Sequence, residues 1–421
     1  MRENLIAGLD IGSAEIRLVV GQRVDTEAGP KLQVIGAVSV PSEGVNKGII
    51  NSIEDTTASI STVLEKAERL LGAPVTNVWV GINGPNLKCQ NSRGVVAVSR
   101  SDSEINQEDV TRVVEAAQAL AVPPNYEILH VIPSKFIVDS QEDIKNPVGM
   151  TGIRLEVVAL IIQNLSSQIK NLTKSVYHTG LNIDDLVFSP LAAAGVVTSA
   201  KQKELGTAIV NIGAATTSIA VFEEGELLHA AVLAIGSSHI TSDIAIGLRC
   251  PINLAEKIKV RYGSAKSDQF SKKDEIDISD LVQEENLTDE ITVISQRYVS
   301  EIIEARVEEI FEKIDGELRK IDRSGMLPAG VCLIGGGSKL ADIVDVAKRK
   351  LRLPASLGSN RSIATVVDKV NDLEYLTALG LISWGDQLSK FEGRRGGNLF
   401  DKLPLQKTID KIRNLFSALR P

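Results

Sequence analysis

Two stretches of this sequence nearly repeat each other. "GLDIGSAEIRLVV", residues 8–20, and "IVNIGAATTSIAVF", residues 209–222, each run an apolar strand into a glycine turn and out again. Such a turn presents backbone N–H groups and small hydroxyls, here at Gly12, Ser13, Gly213, Thr216 and Thr217, to an anion. Two turns facing one cleft would grip a polyphosphate. A carboxylate beside a turn would hold a hydrated Mg²⁺, a hard cation that takes oxygen ligands and keeps its waters. Asp10 stands in that place in the first copy, and Asn211 in the second. A third signal is "GVCLIGGGSKL", residues 330–340, where an apolar strand ends in Gly335, Gly336 and Gly337. Three missing side chains let a flat base or ribose approach the backbone. Each motif alone is weak, since a glycine triplet after a strand is more often an ordinary turn. Their order and separation carry the argument.

The elements that must position these turns follow an α/β pattern. "IAGLDIG" and "RLVVG" read as strands, and "KLQVIGAVSVP" continues them antiparallel after the turn signal at residues 27–30. "SIEDTTASISTVLEKAERLLG" then predicts a helix with Ile60, Val63, Leu64, Ala67, Leu70 and Leu71 on one face, Ser52 as N-cap and Gly72 past its end. The second half repeats strand, turn, hairpin and helix through "HITSDIAIGL", so an internal duplication is the simplest reading. Residues 83–156 do not repeat and look like an inserted subdomain, with strands at "GVVAVSR" and "EILHVIPSKFIVD" around a helix "NQEDVTRVVEAAQAL". Residues 240–310 read as a smaller helix-rich lobe, with the polar "GSAKSDQFSKKDEID" as a loop.

Composition narrows the function classes. At 421 residues and 43% apolar, the chain exceeds the size at which one core stops growing, so two or more domains are expected. Its net charge of −8 argues against a broad nucleic-acid surface. Cys89, Cys250 and Cys332 are odd in number and far apart, which fits packing in a reducing compartment and no zinc cluster. "MRENLIAGLDIG" enters a strand too early for a signal peptide, and no apolar run is long enough to span a bilayer. The chain is expected to stay in the cytoplasm. No Ser-His-Asp or Cys-His pairing stands out.

The duplicated turns and the glycine triplet resemble the superfamily of actin, Hsp70 chaperones and sugar kinases. Within it, "GLDIGSAEIRLVVG", "NPVGMTGIRLEV", "GSSHITSDIAIGLRCPINLAEKIKVRYGSA", "ARVEEIF" and "YLTALGLI" resemble, in order and over essentially the whole chain, the bacterial cell-division family FtsA. The resemblance implies an actin-like, duplicated two-lobe α/β fold. Subdomain 1A would take residues 1–82, 157–197 and 360–386, the FtsA-type insertion 1C 83–156, 2A 198–239 and 311–359, and 2B 240–310. It implies ATP with Mg²⁺ in the cleft, assembly into filaments, and recruitment of divisome proteins. Phosphates would lie against Gly12, Ser13, Gly213, Ala214, Ala215 and Thr216, with Asp10 toward the metal and Asn211 beside the second turn. Ribose and base would lie near Glu256, Lys259, Gly335, Gly336 and Gly337. "LAEKIKVRYG" also has the charge spacing of a solvated helix face, the alternative for Glu256 and Lys259. The C-terminal peptide of the tubulin homologue FtsZ would dock on 2B, with Arg306 meeting its acidic groups; the alternative is a surface ion pair with Glu301 or Glu309.

One position departs from the family pattern. Where the second copy usually reads Asp-Ile-Gly or Asp-Leu-Gly, this chain has Asn211, which carries no charge and cannot take a proton from an attacking water. At most a weak ATPase is expected. The bland account is that Asn211 satisfies the backbone of its turn.

The tail speaks independently of any family. After the linker, residues 387–404, with its Gly-rich "EGRRGGN", Leu405, Ile409, Ile412, Leu415, Phe416 and Leu419 fall within an arc of about 120° on a helix, flanked by Lys407, Lys411, Arg413 and Arg420. Residues 405–421 therefore read as an amphipathic helix, too short to span a bilayer and suited to lying on an anionic inner membrane. The alternative is a terminal helix docked on its own core. The expected function is an ATP-binding filament that tethers the FtsZ ring to the cytoplasmic face of the membrane at the septum. A PilM-like pilus-assembly homologue and a small-molecule kinase of the same fold are the rivals.

Overall fold

Strand pairing begins at once. β1 (Leu5–Ile11) runs antiparallel to β2 (Glu15–Thr26), with Asp10 opposite Arg17, and β3 (Gly29–Pro41) extends the meander. The structure is a computed structural model and describes residues 5–26, 29–99, 102–119, 123–285 and 292–392. After a short hairpin, β4 (Val45–Asn46) and β5 (Ile49–Ile50), comes α1 (Ile53–Leu71). Its N-cap Ser52 accepts a hydrogen bond from the Asp55 N–H, and Gly72 ends it in the left-handed region at φ 66°, both as the sequence predicts. Ile60, Val63 and Ala67 turn its apolar face into the core. β6 (Asn77–Ile82) then lies parallel to β1.

The insertion follows as β7 (Lys88–Ala97), α2 (Gln107–Ala119), β8 (Tyr126–Val138), β9 (Gln141–Ile144) and β10 (Arg154–Leu165), forming a four-stranded sheet in the order β7-β10-β8-β9. Period-two alternation splits β10 between two cores. Leu155, Val157, Ala159 and Ile161 cluster with Val113, Val114 and Ala117 of α2, while Leu160 and Ile162 join the main core. α3 (Ser166–Tyr177) and β11 (Asn182–Phe188) complete the first lobe, β11 pairing parallel with β6.

α4 (Ser189–Val197) and α5 (Ala200–Leu205) lead into the second lobe. β12 (Thr207–Ile212), β13 (Thr217–Glu223) and β14 (Glu226–Leu233) form a second meander. The side lobe holds α6 (Ser237–Leu248), α7 (Ile252–Tyr262), β15 (Glu275–Asp277), α8 (Ser279–Glu284), β16 (Val293–Ser295) and α9 (Gln296–Arg319). The polar stretch at 263–277 is thus not all loop: Ile276 pairs with Ile294 and both are buried, which draws the end of the stretch into a ladder. β17 (Val331–Ile334), α10 (Ile343–Leu351) and β18 (Ala355–Leu357) close the second sheet; β19 (Ala364–Thr365) joins β3, and α11 (Leu376–Glu392) returns to the first lobe.

The duplication is real at the level of topology. The sheets run β11-β6-β1-β2-β3-β19 and β14-β13-β12-β17-β18, each a three-stranded meander followed by two parallel strands on the side of its first strand. Between them α4 and α11 cross. A Cβ on Gly380 would lie 2.5 Å from the Ala192 carbonyl carbon and oxygen, so the helices meet backbone to backbone. Gly195, also on α4, is exposed and has nothing within 4 Å of its Cβ position. Gly380→Ala should therefore cost about 1–3 kcal/mol by overpacking, whereas Gly195→Ala should stabilise by about 0.5–1 kcal/mol. Urea denaturation of the two variants checks the contrast; equal effects of one sign would refute the packing account.

Candidate functional site

The same turn is built twice. The Gly12 N–H donates to the Glu15 carbonyl at 3.1 Å and the Gly213 N–H to the Thr216 carbonyl at 2.9 Å. These two amides are used up within their own turns. The Ser13 hydroxyl accepts from the Gly48 N–H at 3.0 Å, so it is tied to the β4–β5 hairpin. The second turn rests on the first residues of α6, where the Ser237 and Ser238 N–H groups donate to the Gly213 and Ala214 carbonyls at 2.9 and 2.8 Å.

Loop residues 372–375 and the first turn of α11 bring the lobes together. The Gly335 N–H donates to the Leu373 carbonyl at 3.0 Å, and the Asn211 amide donates to the Thr377 hydroxyl at 3.2 Å. Asn211 is therefore bonded across the lobes, not to the backbone of its own turn. Glu374 lies 3.7 Å from Arg17 of the first turn and 3.2 Å from Lys339 beyond the glycine triplet.

The triplet divides by role. Gly335 has φ 86°, and a Cβ there would run into the Asn211 side chain and the Ile212 carbonyl; a Cβ on Gly337 would strike Ile212. Those two glycines are demanded by packing. Gly336 is different: its Cβ position faces open space, the nearest group being the Glu374 carboxylate at 3.7 Å.

Lys259 and Glu256 also converge here. Lys259 is buried, and its ammonium donates to the Thr241 hydroxyl at 2.8 Å, the Glu256 carboxylate at 2.6 Å and the Ser237 carbonyl at 3.3 Å. The Thr241 hydroxyl donates to Glu256 as well. This is a knot joining α7 to the start of α6, with only Glu256 half exposed, and not a solvated helix face.

Asp10 is the titratable centre of the first turn. Burial pushes its carboxyl up to about 6, partly offset by the Arg17 guanidinium. Its carboxylate and the buried Ser189 hydroxyl lie 3.3 and 2.9 Å from the Cβ position of Gly81, so a glycine on β6 makes room for both. Among the described residues no cluster of three or more His, Cys, Asp or Glu could hold a metal ion. Arg17, Glu374, Thr377 and Ser189 escape sequence reasoning. Only Arg17 had a local signal, its position opposite Asp10 in the hairpin.

Arg306 belongs to another cluster. It forms a bidentate pair with Asp243 of α6 at 2.5 and 2.9 Å and also bonds Glu309. Burial and these partners resemble a structural clip between α9 and α6; Glu301 pairs with Arg297 instead. The residues expected to meet a membrane, Leu405, Lys407, Ile409, Lys411, Ile412, Arg413, Leu415, Phe416, Leu419 and Arg420, lie outside the described residues.

Two duplicated lobes, joined where α11 packs backbone to backbone on α4 and each carrying the same turn, define an actin-like protein. Solved structures agree on the fold. The chain is similar to the PilM-PilN type IV pilus biogenesis complex (TM-score 0.64, 16% identity, 90% of this chain and 98% of that one) and to MreB5 of Spiroplasma citri bound to ADP (TM-score 0.54, 12% identity, 93% and 99%). At such identities the likeness shows the fold alone. Sequence comparison goes further. Residues 84–163 match the "SHS2 domain inserted in FTSA", residues 208–380 match "Cell division protein FtsA", and the Bacillus subtilis cell division protein FtsA is 37% identical over 393 residues, covering 93% of this chain and 86% of that protein. The chain belongs to the FtsA family of cell division proteins.

The half-buried Asp10 yields a pH signature. Its native pKa of about 6 exceeds the ordinary value of 3.8, so the folded state holds the proton more tightly and stability falls as pH rises through that interval. Asp10→Asn, which is neutral throughout, should stabilise the ligand-free protein by about 1–3 kcal/mol above pH ~7 and by almost nothing below pH ~4. Melting curves at the two pH values measure this; a pH-independent difference would contradict it.

Proposed function

We propose that this protein binds ATP with Mg²⁺ between its lobes, assembles into actin-like filaments, and tethers the FtsZ ring to the cytoplasmic face of the membrane at the division septum. The observation that carries the cleft reading is Gly336, the one glycine of the triplet that packing does not demand, whose Cβ position meets only the Glu374 carboxylate, the group that lies between Arg17 and Lys339. The chain's own groups fit an anionic nucleotide. Arg17, Lys339 and the Ser13 and Ala214 amides supply positive character, and the Arg17 Nε is buried without a partner among the described residues. Asp10 would meet the hydrated metal, whose part is to neutralise phosphate charge. MreB5, which shares the fold, was solved with ADP.

Hydrolysis is expected to be slow. Asn211 is neutral, faces Ser218 across the hairpin and spends its amide on Thr377, so the second turn offers no carboxylate base. The same lack argues against a small-molecule kinase, which needs a base beside its substrate. The family match argues against a pilus-assembly role. Binding energy then serves lobe geometry and self-assembly.

For FtsZ, the acidic C-terminal peptide would have to compete for Arg306 with Asp243 and Glu309, and Glu309 is the more exposed of the two partners. For the membrane, the basic amphipathic stripe at 405–421 is the anchor, and no helix of the described residues is long and apolar enough to cross a bilayer. Other divisome proteins would join through the family's shared surfaces.

Gly336→Asp puts a side chain and a negative charge where the nucleotide would approach, and should weaken ATP binding at least tenfold in equilibrium titration while the melting temperature stays near wild type. Unchanged affinity would remove the cleft from consideration. Phe416→Glu puts a charge in the apolar stripe and should release filaments from anionic vesicles in co-sedimentation without preventing assembly in solution. Retention on vesicles would mean the tail is not the anchor.

A further inference from the structure

The lobes meet at a second place, away from the turns. β14 is the edge strand of the second sheet, and the inserted sheet packs against it through β7, β8 and β10. Leu129, Ile132, Leu160 and Ile162 of the insertion share one buried cluster with Leu227, Ala230 and Val232 of β14. The Ala230 backbone hydrogen-bonds the Cys89 sulfur, whose thiol burial pushes up to about 12, so Cys89 acts as a packing group and not as a nucleophile. At the rim, Lys135 of β8 lies 2.8 Å from Asp143 and 3.8 Å from Glu224 in the β13–β14 hairpin. Asn83, just before the insertion, donates to the Ser218 hydroxyl at 3.4 Å.

A platform that served only an outside partner would need to touch only the lobe that carries it. This one buries apolar groups of both. The path to the cleft is contiguous: β14 pairs along its length with β13, and β13 begins at Thr217, the residue after the second turn. We propose that the inserted domain is a clasp on β14 that holds the lobes at the angle the nucleotide requires, so that occupancy of the cleft and the seating of the insertion are thermodynamically linked. Linkage makes the effect reciprocal: loosening the clasp must weaken the nucleotide by the factor by which the nucleotide tightens the clasp. The inference rests on the cleft reading above.

The test uses the full chain and Mg·ATP at low ionic strength. Lys135→Glu and Glu224→Lys are surface changes, with side chains 47% and 64% exposed, so the fold should be kept, as circular dichroism would verify. Each alone should weaken ATP binding threefold or more, and the double reversal should bind ATP more tightly than Lys135→Glu alone, short of wild type because position 135 then faces Asp143 with a like charge. In wild type, ATP should slow amide hydrogen exchange in residues 89–91 and 227–231, where no nucleotide contact is expected. Single variants that bind ATP as wild type does, with exchange in both strands unmoved by ATP, would overturn the clasp and leave the cleft reading intact. Failure of wild type to bind ATP at all would overturn both.

Discussion

Everything in this molecule depends on two helices crossing with no side chain between them. Gly380 sets α11 directly on the Ala192 backbone of α4, and a Cβ on Gly8 would lie 2.6 Å from the Ala378 carbonyl, so α11 is also seated on β1 at backbone distance. Such contacts admit little sliding, because close-packed interiors resist even a methylene of added volume. The start of α11 is thereby held where both lobes reach it. Thr377 takes the Asn211 amide, the Leu373 carbonyl takes the Gly335 N–H, and Glu374 stands between Arg17 and Lys339. A loop of a few residues thus joins the first turn, the second turn and the glycine triplet.

The difference between the two copies has an electrostatic logic. In the first, Asp10 lies opposite Arg17; in the second, Asn211 lies opposite Ser218. A buried carboxylate needs a cation or it loses its charge, and even with Arg17 present the Asp10 carboxyl is pushed up to about 6. A carboxylate at 211 would have only hydroxyls, those of Ser218 and Thr377, to face it. Asparagine keeps the shape and the hydrogen bond without the desolvation cost. Each strand end is matched to its neighbour, charge with charge and amide with hydroxyl.

What could be read in advance tracks the range of the interaction. Both caps of α1, the two meanders and the strands and helix of the insertion are local patterns, and they stand as read. The end of the stretch at 263–277 did not, because one buried Ile276 outweighs the polar residues around it once Ile294 arrives from 18 positions downstream. For Lys259, helical charge spacing was silent on burial; only the fold shows its ammonium enclosed by α6. Glu374 and Thr377 carried no local signal, since their partners Arg17 and Asn211 lie more than 150 residues earlier in the chain. The glycine triplet was legible as a motif but not in its parts: Gly335 and Gly337 answer to packing, and Gly336 alone is left open.

That last distinction bears on how such a cleft would work. An enzyme invests its interactions in groups that act on the transition state. Here the groups at the lobe junction are a loop carbonyl, an amide, hydroxyls and ion pairs, and Arg17 beside the first turn is shared by the Glu15 and Glu374 carboxylates. A ligand entering this space would meet one carboxyl that titrates near neutral pH, Asp10, and much that depends on the relative position of the lobes. Differential affinity for lobe arrangements is what contacts of residues 373–377 with both lobes can offer, and that is the property by which a ligand shifts a conformational equilibrium.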